Sequence, residues 1–177
     1  MRDISDEKII FRFMEEMGRF VKNPVTIYLN GGSTAVLLGI RKTTIDVDIK
    51  FLPENNEVYN GIRELKEKLN MNIEIASPDQ FVPQLPGWAE RCISIAKYGT
   101  VNFLHYDLYG QALSKIQRGS PQDISDCNGF VRHSVKLNRL KELFEMVKGE
   151  LVRYPAIDEK KLEQKINRYK NEYEKNN

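Results

Sequence analysis

The chain has 177 residues, of which 41% are hydrophobic and 29% charged, so its length allows one domain with a proper core, with or without a small helical appendage. Its formal net charge of +2 permits an anionic ligand but is too small to indicate nucleic-acid binding by itself. With no signal peptide and no apolar run near the roughly 20 residues that cross a bilayer, we expect a cytoplasmic protein with no membrane partner. Cys92 and Cys127 lack metal-ligand spacing, which predicts two reduced thiols.

The first two predicted elements are a helix and a strand. Apolar residues recur at helical spacing over residues 5–22, with Ser5 as the expected N-cap. Asn23-Pro24 ends this helix, because the residue before a proline disfavours the α region. Residues 25–29 then form an apolar strand, and we expect the amphipathic helix to pack on its sheet.

A glycine-rich turn follows the strand. Gly31 and Gly32 let the backbone turn sharply and let a bulky anion approach, and the N–H groups at the start of the next helix favour phosphate. Ser33 adds a hydroxyl donor at that helix start. The basic segment beyond the helix, including Arg41, either faces the phosphates or forms a solvated turn.

Asp46 and Asp48 lie on the next predicted strand. Because side chains alternate along a strand, both carboxylates point to one face, while Val47 and Ile49 point to the other. Two adjacent carboxylates repel each other, and a divalent cation, Mg²⁺ or Mn²⁺, removes that cost. A phosphate-binding turn followed by metal-binding carboxylates is the combination that transfer of a nucleotidyl group from an NTP requires.

The run from Asn30 to Phe51 resembles the signature of the DNA polymerase β-like nucleotidyltransferase superfamily, in which Gly-Gly/Ser is followed by Asp-x-Asp. This resemblance covers residues 25–76, and a closer one, to small prokaryotic AbiEii-type toxin-like nucleotidyltransferases, extends to residue 130. It implies an α/β (α+β) protein with the minimal nucleotidyltransferase fold, a mixed β-sheet flanked by helices. We expect a helical C-terminal part.

A third carboxylate follows the helix predicted over residues 57–69. In the superfamily, the strand after this helix supplies an acidic residue that acts on the hydroxyl being activated. Glu74, in the short predicted strand 72–76, matches that position, although aspartate is more usual there. The alternative is an ordinary carboxylate on the surface or on an edge strand.

Residues 91–98 and 101–106 predict a hairpin around Gly99. His105 and Asp107 follow at the point where the chain leaves the sheet. They allow a catalytic pairing, but a satisfied strand-end histidine is also consistent with the pattern.

The segment 109–131 resembles the AbiEii-type motif, in which a lysine is followed by Arg-Gly-x-x-x-Asp-x-x-Asp. The resemblance implies that the two cations neutralise the triphosphate and that the two aspartates orient them or cap the next helix. An ordinary helix–glycine–helix corner with ion pairs is the alternative. The matching residues are Lys115, Arg118, Asp123 and Asp126.

Two further amphipathic helices are predicted, over residues 134–148 and after the N-cap Asp158. We therefore divide the chain into a nucleotidyltransferase-like domain, residues 1–130, and a C-terminal helical extension packed on it, residues 131–177.

The resemblance implies a Mg-dependent nucleotidyltransferase that moves a nucleoside monophosphate from an NTP to an RNA end, such as that of tRNA, or to a protein hydroxyl. The expected catalytic residues are Asp46, Asp48 and Glu74. It further implies the toxin of a toxin–antitoxin pair, with a cognate antitoxin protein as partner. The alternatives are a catalytically weak or inactive nucleotide-binding or regulatory protein on the same fold, and an antibiotic-modifying nucleotidyltransferase.

Overall fold

The structure is a computed structural model that describes residues 4–177. Its internal contacts group the chain into two compact units: residues 4–77 with 92–106, and residues 78–91 with 107–177. Compact units defined by contacts need not be separate domains, so the boundary that we placed at residue 130 stays a prediction.

The first unit combines a β-sheet with helices, as the sequence predicts. Its elements in chain order are β1 (Ser5–Asp6), α1 (Glu7–Phe20), β2 (Val25–Asn30), α2 (Gly31–Leu37), β3 (Thr43–Thr44), β4 (Asp46–Leu52), α3 (Asn56–Lys68), β5 (Asn72–Ile75), β6 (Ile93–Tyr98) and β7 (Val101–His105).

Five of these strands form one mixed sheet in the order β5-β4-β2-β7-β6, while β1 and β3 pair separately. Strand β2 is antiparallel to β4 and parallel to β7, and β4 is parallel to β5. The hairpin β6–β7 is antiparallel, as predicted. The predicted fold class, a mixed sheet flanked by helices, is confirmed.

The core of this unit lies between helices α1 and α3 and one face of the sheet. Phe13 and Met17 of α1 have no exposed surface, and neither have Ile27 of β2 and Ile49 of β4. Each such side chain stabilises the fold by about 1.5–3 kcal/mol on burial, so α1 is held by its apolar face. The same burial fixes which residues of each strand face away from the core.

Helix α1 approaches the β6–β7 hairpin closely because two glycines lie at the contact. A Cβ on Gly18 would lie 2.6 Å from the Tyr98 carbonyl oxygen, and a Cβ on Gly99 would lie 2.6 Å from the Gly18 carbonyl oxygen. Gly99 also has a φ of +59°, which few L side chains adopt. A larger residue at either position would therefore force the helix and the hairpin apart.

Two helix starts differ from the prediction. Asp6, not Ser5, is the N-cap of α1, since its Oδ1 accepts from the Ile9 N–H at 2.9 Å and Ser5 belongs to β1. Helix α2 begins at Gly31, so Ser33 is its third residue. Both shifts are small, but the second changes the environment of Ser33.

The second unit is helical, which confirms the predicted helical C-terminal part. Gly119, with φ +72°, ends one helix, and Ser120 caps the next, in which Pro121 is the first residue. The helix that we expected from residue 134 begins at Leu137. The elements are a 3-10 helix (Pro78–Gln80), α4 (Trp88–Arg91), α5 (Leu108–Arg118), α6 (Pro121–His133), α7 (Leu137–Val147), a second 3-10 helix (Lys148–Arg153) and α8 (Glu159–Asn176).

Replacing Gly18 with alanine tests the close approach of α1 and β6. Gly→Ala within a helix ordinarily stabilises by about 0.5–1 kcal/mol. Here we expect a loss of about 1–3 kcal/mol in the free energy of unfolding, because the added methyl group would overlap the Tyr98 backbone. Urea denaturation measures the change. The control is Gly149→Ala, where an added Cβ meets nothing within 4 Å; a stabilised Gly18→Ala variant would contradict the close approach.

Candidate active site

Three acidic side chains share one face of the sheet in the first unit. Asp46 and Asp48 are separated by Val47, which has no exposed surface, so both carboxylates lie on the face opposite to it. In the parallel pairing of β4 with β5, Glu74 lies directly opposite Asp48. The aspartates are half-buried and Glu74 is exposed, so this face is accessible to a ligand.

The glycine turn lies against the carboxylate of Asp48. Gly31 has a φ of +62°, and a Cβ added there would lie 2.5 Å from Asp48 Oδ2. Asn30, the residue before this turn, lies opposite Asp48 in the antiparallel pairing of β2 and β4. The structure thus brings together the turn and the carboxylate that the sequence assigns to one site.

Gly32 and Arg41 meet at the other side of the turn. A Cβ on Gly32 would lie 2.8 Å from Thr44 Cβ and would also overlap the Arg41 guanidinium. Arg41 Nη2 donates to Thr44 Oγ1 at 3.5 Å, and that hydroxyl donates to the Asp46 carbonyl at 3.0 Å. Arg41 is therefore positioned beside the glycine turn and next to the start of the acidic strand.

The Ser33 hydroxyl is buried and bonded to the backbone, so it does not face a ligand. Ser33 has no exposed surface, and its hydroxyl donates to the Asn30 carbonyl at 2.8 Å. A hydroxyl used in this way cannot also donate its hydrogen to a phosphate. The difference follows from the start of α2 at Gly31, which places Ser33 inside the helix.

Asn72 is a residue of this site that sequence reasoning missed. It lies opposite Asp46 in the pairing of β4 and β5. Its Nδ2 donates both to Asp46 Oδ1, at 2.6 Å, and to Glu74 Oε1, at 2.9 Å. The signal in the sequence was its position two residues before Glu74, which places both on the same face of β5.

The side chains present suit a hard divalent cation. Mg²⁺ and Mn²⁺ prefer oxygen ligands, and Mg²⁺ is commonly held by one or two carboxylates together with phosphate oxygens and water. Asp46 and Asp48 provide two carboxylates on one accessible face beside the glycine turn. Within residues 4–177, no group of three or more His, Cys, Asp or Glu side chains could hold a metal ion together.

The second unit contains a buried ion-pair network. Lys115, only 4% exposed, places its Nζ 2.7 Å from Asp126 Oδ2 and 3.3 Å from Asp123 Oδ1. Arg118 donates to both oxygens of Asp123, through Nη2 at 2.6 Å and Nε at 3.2 Å. The four residues of the second motif therefore form one network, an arrangement that agrees both with aspartates that orient the cations and with an ordinary helix–glycine–helix corner held by ion pairs.

The surroundings of Asp123 favour its ionised form. Burial alone would raise the pKa of this carboxyl, but hydrogen bonds from Arg118 and Ser120 and the charges of Arg118 and Lys115 lower it to about 2. Asp123 is thus charged at neutral pH and holds Arg118 in one orientation.

His105 and Asp107 have separate partners. His105 Nδ1 is 3.2 Å from Thr34 Oγ1, whereas Asp107 accepts from Arg91 Nη2 at 2.6 Å and from the Tyr109 N–H at 3.1 Å. These contacts favour structural roles for both.

Burial raises the pKa of the Cys127 thiol to about 12, so this free cysteine is not a nucleophile at neutral pH.

Comparison with known proteins places this chain in a family. The model of a family described as "Nucleotidyltransferase of unknown function (DUF6036)" matches residues 8–176. The chain belongs to this family. Curated proteins give no match.

A solved structure supports the fold of this nucleotidyltransferase family member. The chain is similar to an antigenic nucleotidyltransferase-like protein from Paracoccidioides brasiliensis, with a TM-score of 0.50 and 12% sequence identity over 93% of this chain and 95% of that one. At this identity the likeness concerns the fold alone. Separately, no helix within residues 4–177 has both the length and the apolar character that crossing a bilayer demands.

The pH dependence of stability tests the ion-pair network of this family member. Because the pKa of Asp123 in the folded chain is lowered to about 2, its ionisation stabilises the fold above its ordinary pKa of 3.8, and this stabilisation is lost as the pH falls toward 2. The wild type should exceed Asp123→Asn in free energy of unfolding at about pH 7. We expect that difference to narrow by about 1 kcal/mol by about pH 3.

Urea denaturation at each pH measures this difference. The control is Glu142→Gln, which removes an exposed ion pair with Arg139 and should change stability by less than about 1 kcal/mol at either pH. A difference for Asp123→Asn that does not depend on pH would show that its charge does not stabilise the network.

Proposed function

We propose that this chain is a metal-dependent nucleotidyltransferase that transfers a nucleoside monophosphate from an NTP to an acceptor hydroxyl. The observation that carries the proposal is the common face of Asp46, Asp48 and Glu74, with the carboxylate of Asp48 against Gly31. Membership of a nucleotidyltransferase family supports the reaction class.

Asp46 and Asp48 would hold the divalent cation, Mg²⁺ or Mn²⁺. When bound, such a cation would neutralise charge on the phosphates and favour the attacking oxygen as a nucleophile. A side chain at Gly31 or Gly32 would overlap Asp48 or Thr44, so the two glycines allow the turn to lie against the acidic strand, where its backbone would approach the phosphates of an NTP bound to the cation. Arg41 lies beside this turn and would donate to phosphate oxygens.

Lys115 and Arg118 are the candidates that the resemblance of residues 109–131 suggests for neutralising a triphosphate. Their contacts give this role little support, because the buried Lys115 is already paired with Asp123 and Asp126, and Arg118 already donates to both oxygens of Asp123. Ser33 has less support, because its hydroxyl already donates to the Asn30 carbonyl.

Glu74 would act as the base. Its exposed carboxylate would accept the proton of the acceptor hydroxyl, whose oxygen attacks the α-phosphorus. A new bond forms between that oxygen and the α-phosphorus while the bond to the oxygen that bridges the α- and β-phosphates breaks. Pyrophosphate leaves with the electron pair of the broken bond.

The acceptor that we propose is an RNA end, such as that of tRNA, or a protein hydroxyl. This follows from the resemblance of residues 109–131 to the AbiEii-type motif, which also suggests the toxin of a toxin–antitoxin pair with a cognate antitoxin protein. Induced expression should then arrest growth, and Asp46→Asn/Asp48→Asn should remove the arrest.

A labelling experiment tests the reaction. The purified protein is incubated with each α-³²P-labelled NTP, Mg²⁺, and total RNA or a protein extract. We expect label transfer by the wild type, loss of transfer in Asp46→Asn/Asp48→Asn, and a decrease of about 10²–10⁴-fold in Glu74→Gln. The matched control is Glu64→Gln, which changes an exposed carboxylate of α3 and should retain full activity.

The same experiment separates the competing functions. Stabilisation of the fold by NTP and Mg²⁺ without any label transfer would favour a nucleotide-binding or regulatory protein. With an antibiotic that carries hydroxyl groups added to the incubation, label on that compound, but not on RNA or protein, would favour an antibiotic-modifying enzyme. Equal transfer by the wild type and the double aspartate variant would remove these aspartates from the mechanism.

A further inference from the structure

Asn72 connects two of the acidic side chains of the candidate site through one amide group. Its Nδ2 donates to Asp46 Oδ1 at 2.6 Å and to Glu74 Oε1 at 2.9 Å. An amide nitrogen carries two hydrogens, so it can satisfy both carboxylates at once. The distances therefore describe a bridge between β4 and β5 at the accessible face of the sheet.

We propose, resting on the nucleotidyltransferase function above, that Asn72 is a positioning residue of the metal site. Its neutral amide holds the carboxylates of Asp46 and Glu74 at a set separation without cancelling their negative charge. Asp46 thereby stays beside Asp48 as a ligand for the cation. The hydrogen bond from Asn72 to Glu74 Oε1 holds the second carboxylate in place, where it acts as the base.

The neutrality of the amide is the chemical reason for this assignment. A lysine or arginine between the two carboxylates would form stronger, charge-assisted hydrogen bonds. It would also repel a divalent cation and lower the affinity of the site for it. An asparagine reduces the repulsion between the carboxylates and adds no positive charge. Lys50 is the next residue on this face of β4. It lies opposite Tyr28 of β2, so its positive charge is not part of the bridge that Asn72 forms.

The proposal predicts weaker metal binding for two substitutions of opposite charge at one position. Asn72→Lys introduces a positive charge between the carboxylates and should weaken Mn²⁺ binding at least tenfold. Asn72→Asp adds a negative charge but removes both hydrogen bonds to Asp46 and Glu74, so the carboxylates are no longer held and Mn²⁺ binding should weaken several-fold. If the amide only stabilised the pairing of β4 and β5, thermal stability would fall in both variants, and the added charge of Asn72→Asp would tighten Mn²⁺ binding instead.

The experiment is a titration of each purified full-length variant with Mn²⁺, followed by the electron paramagnetic resonance signal of the free ion. The matched controls are Asn60→Lys and Asn60→Asp, which make the same changes at an exposed position of α3 that is paired with Arg63. They should change the dissociation constant less than twofold. Thermal denaturation without metal checks that each variant is folded, and the sign of the Asn72→Asp effect decides the case if Asn72→Lys does not fold.

Two failures can be told apart. If Asp46→Asn/Asp48→Asn weakens Mn²⁺ binding but the Asn72 variants bind like the wild type, the role of Asn72 is overturned and the proposed function stands. If the wild type binds no Mn²⁺, or binds it equally well without the two aspartates, both the metal site and the role of Asn72 are overturned.

Discussion

The alternation of side chains along β4 constrains both the core and the candidate site. Val47 and Ile49 have no exposed surface, and their burial determines that Asp46 and Asp48 lie on the opposite face. A slip of one residue in the pairing of β4 would bury two carboxylates and expose two apolar side chains. The hydrophobic effect that stabilises the sheet therefore also places the acidic residues beside the glycine turn, where we propose that a metal and a triphosphate bind.

Much of this unit follows from the sequence because its signals are periodic and local. The period of two along β4 predicts the shared face of the aspartates, and the glycines predict the turn beside them. Hydrogen bonds between strands depend on register, which no pattern within one strand specifies, so the contacts of Asn72 could not be predicted. The N-cap of α1 was also ambiguous, because Ser5 and Asp6 are both good capping residues.

In the second unit, too, the sequence predicts some contacts but not the packing around them. The resemblance of residues 109–131 implied that Asp123 and Asp126 orient Lys115 and Arg118, which lie on the preceding helix, or cap the helix after Gly119. The burial of Lys115 depends on how the helices pack against one another, and the motif does not specify that packing. Removing one member of a buried, paired charge network ordinarily lowers the free energy of unfolding by several kcal/mol. The motif therefore stabilises the fold, whether or not it also takes part in catalysis.

The contact between Gly31 and Asp48 has a consequence for tracing descent within the family. No side chain fits at position 31 while the aspartate keeps its present rotamer, because even a methyl group would lie 2.5 Å from Asp48 Oδ2. We therefore expect glycine at position 31 in every family member that keeps this aspartate; where the aspartate is lost, the positive φ of +62° still favours glycine, but the steric reason for it is gone. Under the proposed function, the joint presence of the pair would distinguish family members able to carry out nucleotidyl transfer from those that keep only the fold.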